Sequence, residues 1–267
     1  MSKEVSDIPV GCVALLVGRD VETMLVSQRA RSRSGKRRNR RVQFTRELAM
    51  RISFLHTIND NQRIFEDAAI NLGLRTDNLR HEVRSDLREA VQQAGAFPAS
   101  VKEETKRCLL ALAADADAVI LTCATLGPAV EGIESTSVPI VRADVALAAA
   151  AGKIGGKTAV LCAVEASVEP TRRLFARYAS HSVTSLDVIH VEGVWTLFQN
   201  GDVDECFAAI AASADQAYEE GATLVAYAHP WMAPAVNLAR RGRQPLDSPQ
   251  AALRAVMQRG GDPSLGF

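Results

Sequence analysis

The sequence predicts an α/β protein of two pseudo-symmetric β-α-β lobes, with mainly parallel sheets facing a central cleft. Three observations predict it. Short apolar runs rich in β-branched residues alternate with helical stretches, the pattern of parallel strands joined by crossover helices. The same order of elements then occurs a second time. The intervals between strand centres also agree: 81 − 54 = 27 against 189 − 160 = 29, then 120 − 81 = 39 against 225 − 189 = 36. A chain of 267 residues is long enough to bury the cores of two such lobes.

The elements follow in order. Residues 50–150 make the first lobe: a strand over 52–57, a helix over 61–72, a strand over 79–83, a helix over 100–114 and a strand over 118–122. Pro139-Ile140-Val141 adds a further strand, and 146–151 is the helix that leads across. Residues 151–247 make the second lobe, with strands over 158–163, 185–191 and 223–228 and helices over 168–180 and 203–220. A helix over 250–258 packs back on one of the lobes, and the last residues of 248–267 form a frayed tail. Gly152 to Lys157 is glycine-rich but precedes a strand, which makes it a linker instead of a phosphate loop.

Residues 1–49 read differently. They carry 11 Lys/Arg and 5 Asp/Glu, so the remaining chain carries 31 − 11 = 20 basic and 31 − 5 = 26 acidic residues. The positive charge is thus confined to a leader, most densely from Arg29 to Arg41. Like charges at this density repel and form no core. The leader reads as a disordered basic segment, or as an over-extended start ahead of a natural one at Met50, with a basic binding arm as the remaining reading. The mildly acidic body is a poor candidate for nucleic-acid binding. No apolar run approaches the roughly 20 residues of a membrane helix. The five cysteines, Cys12, Cys108, Cys123, Cys162 and Cys206, show neither CxxC pairs nor metal-ligand spacing. Reduced thiols in a cytoplasm and no metal are expected. There is no GxGxxG after a strand, no GxxxxGK[ST], no GxSxG and no HExxH.

Open parallel sheets bind ligands beyond the carboxyl ends of their strands, so the residues leaving those ends are the candidate site. The first lobe supplies His56, Thr57 and Asn61, then His81 and Arg84, then Cys123, Ala124 and Thr125; the second supplies Cys162, Ser167, His190, Tyr227, Ala228 and His229. Cys123 leaves an apolar strand into a turn of small residues before Pro128. Unpaired backbone N–H groups at such a turn lower a thiol pKa and bind anions. The alternative is a structural thiol, since free cysteine is among the most buried residue types; that alternative is preferred for Cys108 and Cys206. Thr57, Thr122, Thr125 and Ser167 offer hydroxyls to a carboxylate, though each taken singly is as well a turn or cap residue. His229 is the candidate proton donor or acceptor opposite Cys123, or a loop histidine held by Pro230.

Phe54-Leu55-His56-Thr57 with Asn61, Asp117 through Pro128, and Ala159-Val160-Leu161 resemble the aspartate/glutamate (Asp/Glu/hydantoin) racemase superfamily, over about 51–257. The resemblance implies racemisation without pyridoxal cofactor or metal: one cysteine removes the proton α to a carboxylate and a second, from the other lobe, delivers one to the opposite face. It implies that Cys123 is the first-lobe cysteine, Thr125 its neighbouring hydroxyl and Ser167 the second-lobe hydroxyl. Where the family pattern has its second cysteine, this chain has Ala228-His229-Pro230. The expectation is a cofactor-independent racemase- or isomerase-like enzyme acting on a small carboxylate-bearing molecule, with Cys123 as base and His229 as acid. His56, Thr57, Asn61, Ala124, Thr125, Ser167 and Ala228 are the expected substrate contacts. A decarboxylase- or cis–trans-isomerase-like enzyme using one cysteine is an alternative, and so is a catalytically silent small-molecule-binding protein. The resemblance also implies a homodimer; neither a membrane nor a nucleic acid is an expected partner.

Overall fold

Two four-stranded, all-parallel sheets carry the chain, and they repeat one topology. The structure, a computed structural model, describes residues 50–133 and 136–261; the calls on the basic leader and on the tail from 262 lie outside the described residues. The first half runs β1 (Ile52–His56), α1 (Asn61–Asn71), β2 (Leu79–Val83), α2 (Ser85–Ala94), α3 (Ala99–Ala113), β3 (Ala118–Leu121), a 3-10 segment (Ala124–Gly132), β4 (Ile140–Arg142) and α4 (Ala143–Ile154). The second half runs β5 (Gly156–Cys162), α5 (Val168–Tyr178), β6 (Val183–His190), α6 (Val194–Asn200), α7 (Val203–Glu219), β7 (Leu224–Tyr227), a 3-10 segment (Pro230–Asn237), β8 (Leu246–Asp247) and α8 (Ser248–Gly261). Strand orders are β2-β1-β3-β4 and β6-β5-β7-β8.

The burial pattern follows from that order. Central strands β1, β3 and β7 are buried at every position, as parallel strands covered on both faces must be. Edge strands β2 and β6 mix polar and apolar residues and stay partly open. Each sheet has one core on each face: Phe54, Phe65 and Ile120 on one side of the first sheet and Leu55, Leu109 and Leu121 on the other. In the second sheet Leu161, Ile210 and Tyr227 face one way, Val160, Phe175 and Leu224 the other.

Helix α4 joins the halves. Ala143 and Ala146 pack into the first-lobe core, whereas Leu147, Ala148 and Ala151 pack into the second. A helix buried on two sides needs small residues, and its alanines supply them. Gly152 lets it approach closer still, because a Cβ there would collide with the Tyr178 carbonyl at the end of α5. At the other end of the chain α8 buries Ala252, Leu253 and Val256 beside Phe54 and Phe65, so the C-terminal helix returns to the first lobe.

The expected strands and helices are present with ends shifted by a few residues. Helices α2 and α6 and the two-residue β8 go beyond the expectation. Helix α2 turns Leu87, with Ala90 and Val91 partly buried beside it, onto the first-lobe core.

Candidate active site

The central strands of the two halves correspond in register as well as in topology. Register pairs Ile52 with Ala118 in the first sheet and Thr158 with Leu224 in the second, so equivalent residues lie at one offset, 158 − 52 = 224 − 118 = 106. By that offset Cys123 corresponds to His229, Pro128 to Pro234, and Asn61 to Ser167. The backbone agrees. Cys123 has φ −104 and ψ 114, His229 has φ −105 and ψ 135, and each opens a 3-10 segment. Thr122 N–H donates to the Leu55 carbonyl at 3.1 Å and Ala228 N–H to the Leu161 carbonyl at 3.0 Å; Leu126 N–H donates to Cys123 O at 3.2 Å and Met232 N–H to His229 O at 3.0 Å. His229 therefore stands in the second lobe where Cys123 stands in the first.

The strand ends face one another. Ile58 and Ile64, from the loop after β1 and from α1, pack on the second-lobe cluster that contains Met232 and Val236. At the edge strands, the Arg88 guanidinium on α2 lies 5.8 Å from the centroid of Trp195 on α6.

Cys123 is partly buried at the margin of the first-lobe core that contains Leu121 and Leu126, and the next two residues, Ala124 and Thr125, are exposed. The turn behind it is held from β4: Arg142 pairs with Asp144 at 2.7 Å and Glu131 at 3.6 Å, and its guanidinium occupies the space where a Cβ at Gly127 would be. Glycine is required there by that close approach. Cys162 differs: it is fully buried, and burial pushes its thiol up, as it does for Cys108 and Cys206.

His229 is partly buried and stacks on Trp231 at 5.9 Å with 14° between the rings. Burial pushes its imidazole down to about 4, because the charged ring would lose its water without a carboxylate to replace it. Ser167 Oγ donates to the Val164 carbonyl at 2.6 Å and makes a long 3.5 Å contact with His229 Nε2. Ala228, the residue before His229, is partly buried. Thr57 and Asn61 are buried at the end of β1 and the start of α1, and the Asn61 carboxamide oxygen has no hydrogen-bond partner. A buried acceptor without a donor is costly unless something else supplies one.

His56 requires correction as a substrate contact. It is fully buried, Nδ1 lies 3.0 Å from Thr122 Oγ1 and Nε2 lies 2.9 Å from His81 Nδ1, so neither nitrogen is left for a ligand. Its ring stacks on Phe54 and His81, and burial, with His81 adding to it, pushes it down to about 3. The two histidines brace the sheet. Arg84 is likewise engaged, by Asp86, Glu104 and the Cys108 sulfur.

Sequence reasoning passed over Arg88, Arg142, Trp195 and Trp231. The signal available was that both tryptophans of the chain follow second-lobe strand ends. Two surface depressions lie elsewhere, one under α4 and α5 beside Thr158 and Phe175, one along α7 beside Asp215, Glu219 and Arg240; neither touches Cys123 or His229. Among the described residues no group of three or more His, Cys, Asp or Glu side chains is placed to hold a metal, and no helix is long and apolar enough to cross a membrane.

No family model and no curated protein sequence matches the chain. Solved structures do. The allantoin racemase of Pseudomonas fluorescens is 17% identical, with 79% of this chain and 90% of that one covered at a TM-score of 0.54. The aspartate racemase homologue of Pyrococcus horikoshii is 14% identical over 80% and 100% of the two chains, TM-score 0.58. The aspartate racemase of Picrophilus torridus is 12% identical over 79% and 93%, TM-score 0.60. At these identities the likeness is one of fold: the chain folds as these racemases do.

Proposed function

We propose that the protein is a cofactor-independent isomerase of the racemase or epimerase type, moving a proton at the carbon α to the carboxylate of a small molecule. One observation carries the reading: Cys123 and His229 hold equivalent positions at the ends of β3 and β7, one from each lobe. Two different acid–base groups then approach the reacting carbon from opposite faces, as inversion requires. The pair shares one proton. With His229 neutral, as its lowered pKa of about 4 favours, the imidazole takes the α-proton and the Cys123 thiol returns one on the other face. With the proton moved to His229, the Cys123 thiolate is the base and the imidazolium the acid, which handles the other enantiomer.

The α C–H is weakly acidic, so the carbanion must be spread into the carboxylate and met by donors in a water-poor site. Thr57, Asn61, Thr125 and Ser167, with the backbone N–H of Ala124, are the groups at the strand ends able to hold it. Pro230, at the position equivalent to Ala124, has no N–H, so the second-lobe turn lacks that donor.

The test uses the full chain with enantiomerically pure amino acids and 5-substituted hydantoins. Their interconversion, followed by chiral chromatography, is expected in the wild type and in Cys162→Ser but not in Cys123→Ser or His229→Asn. Interconversion that survives Cys123→Ser removes the proposal.

A further inference from the structure

Both tryptophans of the chain belong to one stack of rings that begins at His229 with Trp231. Trp231 stacks on the imidazole at 5.9 Å; Phe198 stacks on Trp231 at 4.4 Å with 24° between the planes; Trp195 lies 5.4 Å from Trp231 and 5.9 Å from Phe198. Trp231 is sealed in the core, whereas Trp195 and Phe198 are only partly buried. The stack thus runs from the candidate acid–base residue to an indole at the meeting of the two lobes.

The cation above that indole has a buried nitrogen without a partner. Arg84, Arg107 and Arg142 each pair with carboxylates. Arg88 makes no salt bridge among the described residues, and its Nε is buried with no hydrogen-bond partner. Its recorded partner is the face of Trp195, from the opposite lobe. A partly buried guanidinium with an unused fork is a receptor for a planar anion, and removing it from water without one is unfavourable.

We propose that Trp195, Phe198 and Arg88 form a subsite for a flat unsaturated ring, and that the substrates are small carboxylates bearing an aromatic or heteroaromatic ring near the reacting carbon. The ring takes the place of the Arg88 guanidinium on the Trp195 indole, and the freed Arg88 fork adds a charged contact to the carboxylate that the strand-end groups hold. A saturated ring of the same size buries a comparable area but lacks the quadrupole that favours stacking on indole. The inference rests on Cys123 and His229 being the acid–base pair, since the ring stack that ends at Trp195 begins at His229.

The test compares matched probes with the full chain: phenylglycine against cyclohexylglycine, and phenylalanine against cyclohexylalanine. Quenching of the two tryptophans reports binding, and loss of the α-proton signal in deuterated water reports chemistry. The phenyl probes are expected to bind roughly two- to tenfold more tightly than their saturated partners. Trp195→Leu removes that ratio and Trp195→Phe keeps it; Arg88→Met weakens all four probes. Equal binding of the two probe types, or binding of neither, overturns the inference. Ring-selective binding without α-proton exchange upholds the subsite and sinks the acid–base reading. Cys123-dependent exchange at equal rates on both probe types does the reverse.

Discussion

Acidification from pH 7 to pH 4.5 should destabilise the protein through two buried histidines, against the opposing effect of one buried acid. His56 and His229 titrate at about 3 and about 4 in the folded chain and near 6.5 when unfolded. The unfolded chain therefore binds protons first, and stability present above 6.5 is lost as pH falls toward the folded values. Each histidine loses about 2.5 kcal/mol by pH 4.5 on these values. Asp247 acts in the other direction. Burial holds its carboxyl up at about 6, although its Oδ1 accepts from Gln250 N–H at 2.8 Å; the folded chain takes that proton before the unfolded one does. Its contribution grows as pH falls, by about 2 kcal/mol over the same interval. The net loss is about 3 kcal/mol for the wild type, and about 5 kcal/mol for Asp247→Asn, which keeps the backbone hydrogen bond but cannot titrate. Urea denaturation at pH 7, 5.5 and 4.5, with a constant slope against denaturant, reads both numbers. A wild-type stability that stays level or rises on acidification would show that His56 and His229 are not buried as neutral rings.

Other substitutions probe the supports of the site. Gly127→Ala sets a methyl on the Arg142 guanidinium and should cost about 1–3 kcal/mol in thermal or urea unfolding while slowing racemisation, because the Cys123 turn must shift. Trp231→Ala empties a fully buried site beside His229 and should cost about 3–5 kcal/mol. Cys162→Ser puts a hydroxyl into the second-lobe core and should cost about 1–3 kcal/mol with the chemistry retained, which separates a packing thiol from a reactive one.

The fold was legible because a duplicated parallel α/β chain states its plan twice. Apolar runs such as Phe54-Leu55 and Val160-Leu161 are continuous since both faces of their strands are covered. Two of the elements that escaped are short, α6 with seven residues and β8 with two, and α2 buries a single side chain fully. The placement of Cys123 and His229 at equivalent strand ends was legible from the order of elements. The role of His56 was not, because nothing in a sequence distinguishes a strand-end histidine facing a cleft from one whose nitrogens meet Thr122 and His81. Arg88 was equally hidden. Its meaning depends on an indole more than a hundred residues away along the chain.

Opposite faces served by different groups leave an isotopic signature. Each pure enantiomer of a turned-over substrate is incubated in deuterated water with Cys123→Ala and with His229→Asn, and α-deuterium and optical purity are followed together. Each variant should exchange the proton of one enantiomer only, without inverting it, and the two variants should choose opposite enantiomers. If either variant still inverts its substrate, or if both exchange the same enantiomer, Cys123 and His229 do not divide the two faces between them.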